Sequence, residues 1–305
     1  MTDVDTAASD RSAASERIQE ILVKACEVAD FDPSGATLIK FTNNAVYALE
    51  HNPVVVRIAG STAVGDRVAK VVAVARWLAA HDMPAVRLAE HLPQPIDIHG
   101  HMVTFWHKIV SGHAPQPDGA DLGRILRRYH SLTPPDFVLP QWDPISGIRQ
   151  RIAGQDILPP ADHRFLEHRC DEIAAELTTL QYVLPAGPIH GDAFPGNLIA
   201  GPSGPAICDF DNAAYGPREW DLTPVAVGRL RFNYPVDHHT RLVAEYGTDI
   251  LHWPGFGVLR NLRELQLVTS VLPTLHANPS LHEQWRHRFT TFRAEDSTTR
   301  WDTYR

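Results

Sequence analysis

The chain has 305 residues, 44% of them hydrophobic and 21% charged, which are the proportions of a globular protein long enough for two cores. Its formal net charge is −8, with 4 lysines beside 24 arginines, and no basic stripe carries interleaved aromatics, which argues against nucleic acid as a partner. No apolar run reaches the length of a membrane span, the acidic Met1 to Thr6 segment is unlike a signal peptide, and Cys26, Cys170 and Cys208 are too scattered for a disulfide framework, so no membrane partner and a cytoplasmic location are expected.

Residues 1–14, rich in Ser, Thr, Ala and Asp, are expected to lack regular structure. From Ala14 to Val28, apolar residues at Ile18, Ile21, Leu22 and Ala25 recur at helical spacing. Three strand-like runs follow, Thr37 to Phe41, Ala45 to Glu50 and Val54 to Ala59, the first two joined by the turn Thr42-Asn43-Asn44. Arg57 is a charge inside the apolar third run and requires a partner, because burying it unpaired costs several kcal/mol. The next segment, Thr62 to Ala80, reads as a helix ended by Asp82-Met83-Pro84, and Asp66 is its only carboxylate. Two further strands are predicted over 86–91 and 102–110, with Pro93-Gln94-Pro95 and a His99-Gly100 turn between them. The segment Leu122 to His130 opens a mostly helical remainder. The His99-His101 and His238-His239 pairs lack the cysteine or glutamate company of a zinc site.

The most informative stretch is His190-Gly191-Asp192-Ala193-Phe194-Pro195-Gly196-Asn197, followed by Asp209-Phe210-Asp211. Pro188-Ile189-His190 reads as an extended entry, Asn197 to Ala200 as a strand, Gly201 to Pro205 as a turn and Ala206 to Phe210 as the return strand. Such a hairpin would bring Asp209 back beside Asn197. An Asp and an Asn five apart, then an Asp on the next strand, form the arrangement with which kinases transfer a phosphoryl group. One Asp takes or orients the proton of an attacking hydroxyl. The Asn and the later Asp offer hard oxygens to magnesium, a small cation that binds few carboxylates together with phosphate oxygens. Singly, Asp and Asn are turn formers; the strand–turn–strand context makes the set a site.

These residues, continued by Tyr215-Gly216-Pro217-Arg218-Glu219-Trp220-Asp221-Leu222, resemble the aminoglycoside phosphotransferase and choline kinase-like family, strongly over 188–222 and more weakly over 37–132. The resemblance implies an α+β, two-lobed protein-kinase-like fold. It would comprise a nucleotide-binding N-lobe over 15–107 and a helical C-lobe over 108–305 holding the catalytic hairpin, 188–211. It implies Asp192 as catalytic base, Asn197 and Asp209 as magnesium ligands, and His190 and Asp221 as braces of the catalytic loop, with Asp211 supporting the metal site or its loop. ATP or GTP is the implied co-substrate, and the hydroxyl of a small molecule the acceptor. Nucleotide contacts are implied at Asn44 and along Phe105-Trp106-His107, where a strand would offer its backbone to an adenine edge. Arg57 stands where the family carries a phosphate-binding lysine, and its planar fork can hold phosphate bidentately.

Two departures from the pattern feed a competing reading, a pseudokinase-like ligand- or partner-binding protein. The Thr42-Asn43-Asn44 turn has no glycine to cradle phosphates. The helix after Arg57 lacks the glutamate that would brace it. The intact trio Asp192, Asn197 and Asp209 favours the working kinase. For acceptor choice, Leu222 to Arg305 holds 8 acids against 10 arginines, which weakens a polycationic acceptor. Arg229, Arg231 and Arg241 suit an anionic or neutral hydroxyl compound, while Phe232, Tyr234, Tyr246, Trp253, Phe256 and Trp285 read as core aromatics more readily than as a pocket lining.

Overall fold

A computed structural model of the protein describes residues 3–41, 44–60, 65–276 and 278–304, with side chains from Glu16 onward. The chain divides into two units, Met1–Gln116 with Leu198–Asp211, and Pro117–Asn197 with Asn212–Arg305. The division thus falls nine residues beyond the expected boundary at 107, and the hairpin segment 198–211 groups with the first unit instead of the helical one. Hydrogen bonds explain that placement. Val86 N–H donates to the Ile207 carbonyl at 3.0 Å and Ile207 N–H to the Pro84 carbonyl at 2.9 Å.

The first unit is built on α1 (Asp3–Ala29), β1 (Thr37–Phe41), β2 (Asn44–Ala48), β3 (Val54–Ala59), α2 (Gly65–Ala80), β4 (Ile96–Ile98) and β5 (His101–His107). The five strands form one antiparallel sheet in the order β1-β2-β3-β5-β4. Side chains alternate across it, as a strand period of two requires. Val54, Val56 and Ile58 of β3 join Val103 and Phe105 of β5 in a core with Ile18, Ile21, Leu22 and Ala25 of α1. Arg57, one residue out of phase, belongs to the other face of the sheet, in register with Thr104.

Two sequence expectations change here. The helix expected from Ala14 begins at Asp3, so residues 3–14 are helical and not irregular. The alanines among them favour the helical backbone more than the Ser and Asp content suggests. The strand predicted over 86–91 does not form. The segment divides its hydrogen bonds between the hairpin at Ile207 and β5, where Ala89 N–H donates to Phe105 and His107 N–H to Arg87, both at 2.8 Å. The sheet edge is supplied by β4 instead. Thr42 and Asn43 of the expected turn, and Thr62 to Val64 of the expected helix start, lie outside the described residues.

The second unit contains α3 (Gly119–Ser131), α4 (Pro144–Ala153), α5 (Pro160–Thr179), β6 (Gly187–Ile189), β9 (Ala214–Gly216), α6 (Glu219–Arg231), α7 (His238–Tyr246), α8 (Phe256–Thr269), α9 (Leu272–Leu275) and α10 (His282–Arg293). The strands β7 (Leu198–Ile199) and β8 (Ala206–Ile207), which complete the numbering, pair as the predicted hairpin within the first unit. A capping box of Asp118 and Asp121 starts α3. Its first residue, Gly119, lies so close to α7 that a Cβ would fall 1.8 Å from the His238 carbonyl oxygen. Apolar residues surround nearly the whole of α6, from Trp220 and Leu222 to Val225 and Val227, which makes it the central helix of the unit. A small antiparallel sheet with a mostly helical remainder is the fold class expected from the sequence. Among the described residues, no helix is long and apolar enough to cross a membrane.

Candidate active site

In the second unit the candidate catalytic loop, 190–197, leaves β6, which pairs with β9 through Gly187–Gly216 and Ile189–Ala214. Asp221, fully buried on the first turn of α6, clamps that loop. Its Oδ2 accepts the His190 N–H and its Oδ1 the Gly191 N–H, each at 2.7 Å, while His130 Nε2 lies 3.0 Å from Oδ2. From the other side Trp220 Nε1 donates to the Gly191 carbonyl at 2.9 Å. Gly191 has φ of 82°, and a Cβ there would meet the Asn212 carbonyl oxygen at 2.1 Å, so no other residue fits.

The loop held in this way presents Asp192. Its Oδ1 accepts from Arg263 Nη1 of α8 at 2.9 Å, with both side chains partly open to solvent. Asn197 donates from its amide nitrogen to the Asp192 carbonyl at 2.8 Å, which fixes the spacing that the sequence motif carries. Burial lowers the Arg151 pKa, as does the neighbouring Arg263, against the pull of Asp192.

A cavity of about 760 Å³ lies wholly within this unit. Phe194 to Gly196 of the candidate loop, Arg263 of α8, and Phe232 and Tyr234 beyond α6 contribute to its lining. Of the aromatics weighed for a pocket, these last two line it. Trp253, Phe256 and Trp285 are buried in the core, and Tyr246 lies 2.8 Å from His130 Nδ1 through its hydroxyl. Arg231 is consumed by a buried pair with Glu264 at 2.6 Å, and Arg241 pairs with Asp118.

In the first unit the partner missing for Arg57 is Asp211, with which it forms a short ion pair. Lys70 of α2 adds a bond from Nζ to the Asp211 carbonyl at 2.6 Å. Burial pulls the Lys70 ammonium down to about 8, although Asp211 opposes the shift. Burial pushes the Asp211 carboxyl up, but the charge of Arg57 and hydrogen bonds from Asp209 and Arg57 bring it below the ordinary carboxylate value. Asp209 behaves oppositely. Its crowded surroundings, then the hydrogen bond and charge of Asp211, push it up to about 6 against Arg57 and Lys40. It also sits at φ 69°, a left-handed conformation uncommon for a residue with a side chain.

The donor chemistry fits magnesium. Burial and the neighbouring Asp211 carboxylate raise the proton affinity of Asp209, and a divalent cation at its oxygens would offset that repulsion. Asn197 has its nitrogen engaged on the loop, which assigns any ligand role to its oxygen. Among the described residues no three His, Cys, Asp or Glu side chains group as a cage, and magnesium bound through phosphate oxygens does not call for one.

The sign of the Asp209 shift gives a pH prediction. A carboxyl whose folded pKa is raised stabilises the fold below its unfolded value near 3.8 and loses that contribution as pH rises through about 6. The Asp209→Asn protein is therefore expected to be the more stable of the two above pH 6, by at most about 1 kcal/mol because Asp209 is solvent-accessible. The difference should vanish below pH 4, as read by denaturant unfolding across that range. A difference independent of pH would remove Asp209 as its cause.

Of the remaining nucleotide candidates, Asn44 opens β2 opposite Ala59. Phe105 faces the α1 core, its N–H donates to Gln94 Oε1 at 2.6 Å, and its carbonyl accepts from Ala89. His107 uses its N–H on Arg87, and Trp106 turns its indole N–H to Thr104 at 2.8 Å. The Phe105 backbone groups and the His107 N–H thus take part in bonds that hold the fold. Sequence reasoning named neither Arg263 nor Lys70, and passed over His130 as a brace of Asp221. The Tyr129-His130 pair at the end of α3 was the available signal for the last.

The model of the phosphotransferase enzyme family matches residues 39–265. No curated protein matches the sequence significantly. Among solved structures, the chain is similar to the amicoumacin kinase hAmiN in complex with AMP-PNP, Ca2+ and Ami, at 14% identity and a TM-score of 0.66 over 94% of this chain and 98% of that one. It is similar to the choline kinase LicA from Streptococcus pneumoniae at 12% identity and a TM-score of 0.63, covering 92% and 99%. A choline/ethanolamine kinase family protein from Mesorhizobium loti follows at 16% identity and a TM-score of 0.59, covering 92% and 93%. At these identities the likeness establishes a shared fold.

Proposed function

This chain belongs to the phosphotransferase enzyme family, and on that premise we propose that it transfers the γ-phosphoryl group of ATP or GTP, with magnesium, to a hydroxyl of a small molecule. The observation that carries the reading is the catalytic loop of the second unit. Asp221 fixes His190 and Gly191, and the loop so held presents Asp192 beside a cavity of small-molecule size. Asp192 orients the acceptor hydroxyl and takes its proton as the oxygen attacks phosphorus. Asn197 and Asp209 are the proposed magnesium ligands, and the bound ion would neutralise charge on the phosphate oxygens. Arg57, oriented by Asp211, contacts phosphate in place of lysine. Some solved neighbours carry AMP-PNP, ADP or GDP, which supports a nucleotide co-substrate without deciding between adenine and guanine.

Calorimetric titration of ATP and GTP, with magnesium and with EDTA, tests this reading. Binding of at least one nucleotide is expected with magnesium and should weaken when the ion is removed. Asp209→Ala should abolish that magnesium dependence. Binding of neither nucleotide would favour the pseudokinase reading.

A further inference from the structure

The cavity of the second unit carries an excess of positive charge. Among the described residues, Arg229, Arg263, Arg288 and Arg300 line it, against Asp237 as the one carboxylate in the lining, with Arg263 paired to Asp192. Asp237 is itself engaged: it accepts the Thr240 N–H at 3.0 Å and the Thr240 hydroxyl at 2.8 Å, and lies 3.7 Å from Arg229. Arg288 is only 2% exposed, its buried Nε has no hydrogen-bond partner among the described residues, and the Asp302 carboxylate acts on it through its charge. Arg288 donates to the Asp302 carbonyl, and its guanidinium carbon lies 3.5 Å from the centre of the Tyr304 ring. Among the described residues, Arg300 likewise meets carbonyl oxygens, those of Arg229 and Phe232. Carbonyl dipoles and aromatic faces attract a guanidinium but leave its charge in place, so the cavity keeps a positive potential.

That potential selects the ligand. A polycation would enter against like charge, whereas an oxyanion would gain charge-assisted and bidentate bonds from arginine forks. The same cavity borders the chemistry: Phe194 to Gly196 of the catalytic loop line it, and Arg263 in its wall is the group bonded to Asp192. We infer that the acceptor is an anionic small hydroxy compound, gripped through a carboxylate or phosphate by these arginines, with an apolar or aromatic body against Phe232 and Tyr234. The inference rests on the kinase reading for the word acceptor; the anion preference stands on the cavity alone.

Four probes of one shape test it: para-hydroxymethylbenzoate, para-hydroxymethylphenyl phosphate, the methyl ester of the first, and para-hydroxymethylbenzylamine. Each is titrated calorimetrically into the full chain without nucleotide. At least one of the two anions should bind about tenfold or more tighter than the ester and the amine. Comparing the two anions shows which oxyanion the site takes. Arg229→Gln and Arg300→Gln alter exposed side chains outside the core, and each should lower anion affinity about tenfold while leaving the ester unchanged. Equal affinity for all four probes, preference for the amine, or no binding of either anion would overturn the inference. Preferred anion binding without any phosphoryl transfer from magnesium ATP or GTP would leave the inference standing and count against the kinase reading instead.

Discussion

Replacing Asp221 with alanine is expected to destabilise the protein by about 3–5 kcal/mol, measured by denaturant unfolding. The side chain is fully buried, and its two oxygens serve the His190 and Gly191 N–H groups and the His130 ring at once. Alanine removes the carboxylate that all three face, and each buried donor left without an acceptor costs about 1–3 kcal/mol. Against a typical total of about 5–15 kcal/mol, such a loss is severe. Asp221→Asn should fall between the two, because it keeps one accepting oxygen and turns an amide donor toward a backbone donor. An alanine variant within about 1 kcal/mol of the parent would show that Asp221 does not hold the loop.

Asp192→Asn is expected to reduce phosphoryl transfer about a thousandfold or more, with little change in stability. Asparagine keeps the size of the side chain but cannot take the hydroxyl proton. The change also breaks the contact with Arg263, but both side chains are partly solvated, so its loss costs about 1 kcal/mol or less. Nucleotide affinity should stay within a few-fold of the parent. Separating transfer from folding is the purpose of this variant, since Asp221→Ala disturbs both. Retained transfer would remove Asp192 from the mechanism.

The candidate catalytic stretch was legible in the sequence because the proposed chemistry demands fixed residue types at short, fixed spacing. Asp192 and Asn197 are joined by a bond spanning five residues, and Asp221 lies on the first turn of the helix that follows β9. Partners brought together by folding were not legible. Arg57 meets Asp211 across 154 positions and Asp192 meets Arg263 across 71, and no local pattern announces either pair. The absent helix glutamate after Arg57 therefore looked like a defect, although the counter-charge comes from the segment just past Asp209. The strand expected over 86–91 failed for a related reason: its apolar residues suit a strand, but its backbone bonds are split between two neighbours. The balance of acids and arginines after Leu222 hinted at an unusual acceptor, and only the fold showed that Arg229, Arg263, Arg288 and Arg300 share one cavity.

The most direct measurement is phosphoryl transfer itself, read by mass spectrometry as the gain of one phosphoryl group on a hydroxy compound incubated with the protein, magnesium and ATP or GTP. Product is expected from an acceptor with a free hydroxyl, and none should form when that hydroxyl is methylated, when EDTA is present, or with Asp192→Asn. Magnesium-dependent nucleotide binding with no product from any hydroxy acceptor, anionic, neutral or cationic, would contradict a phosphotransferase acting on small molecules.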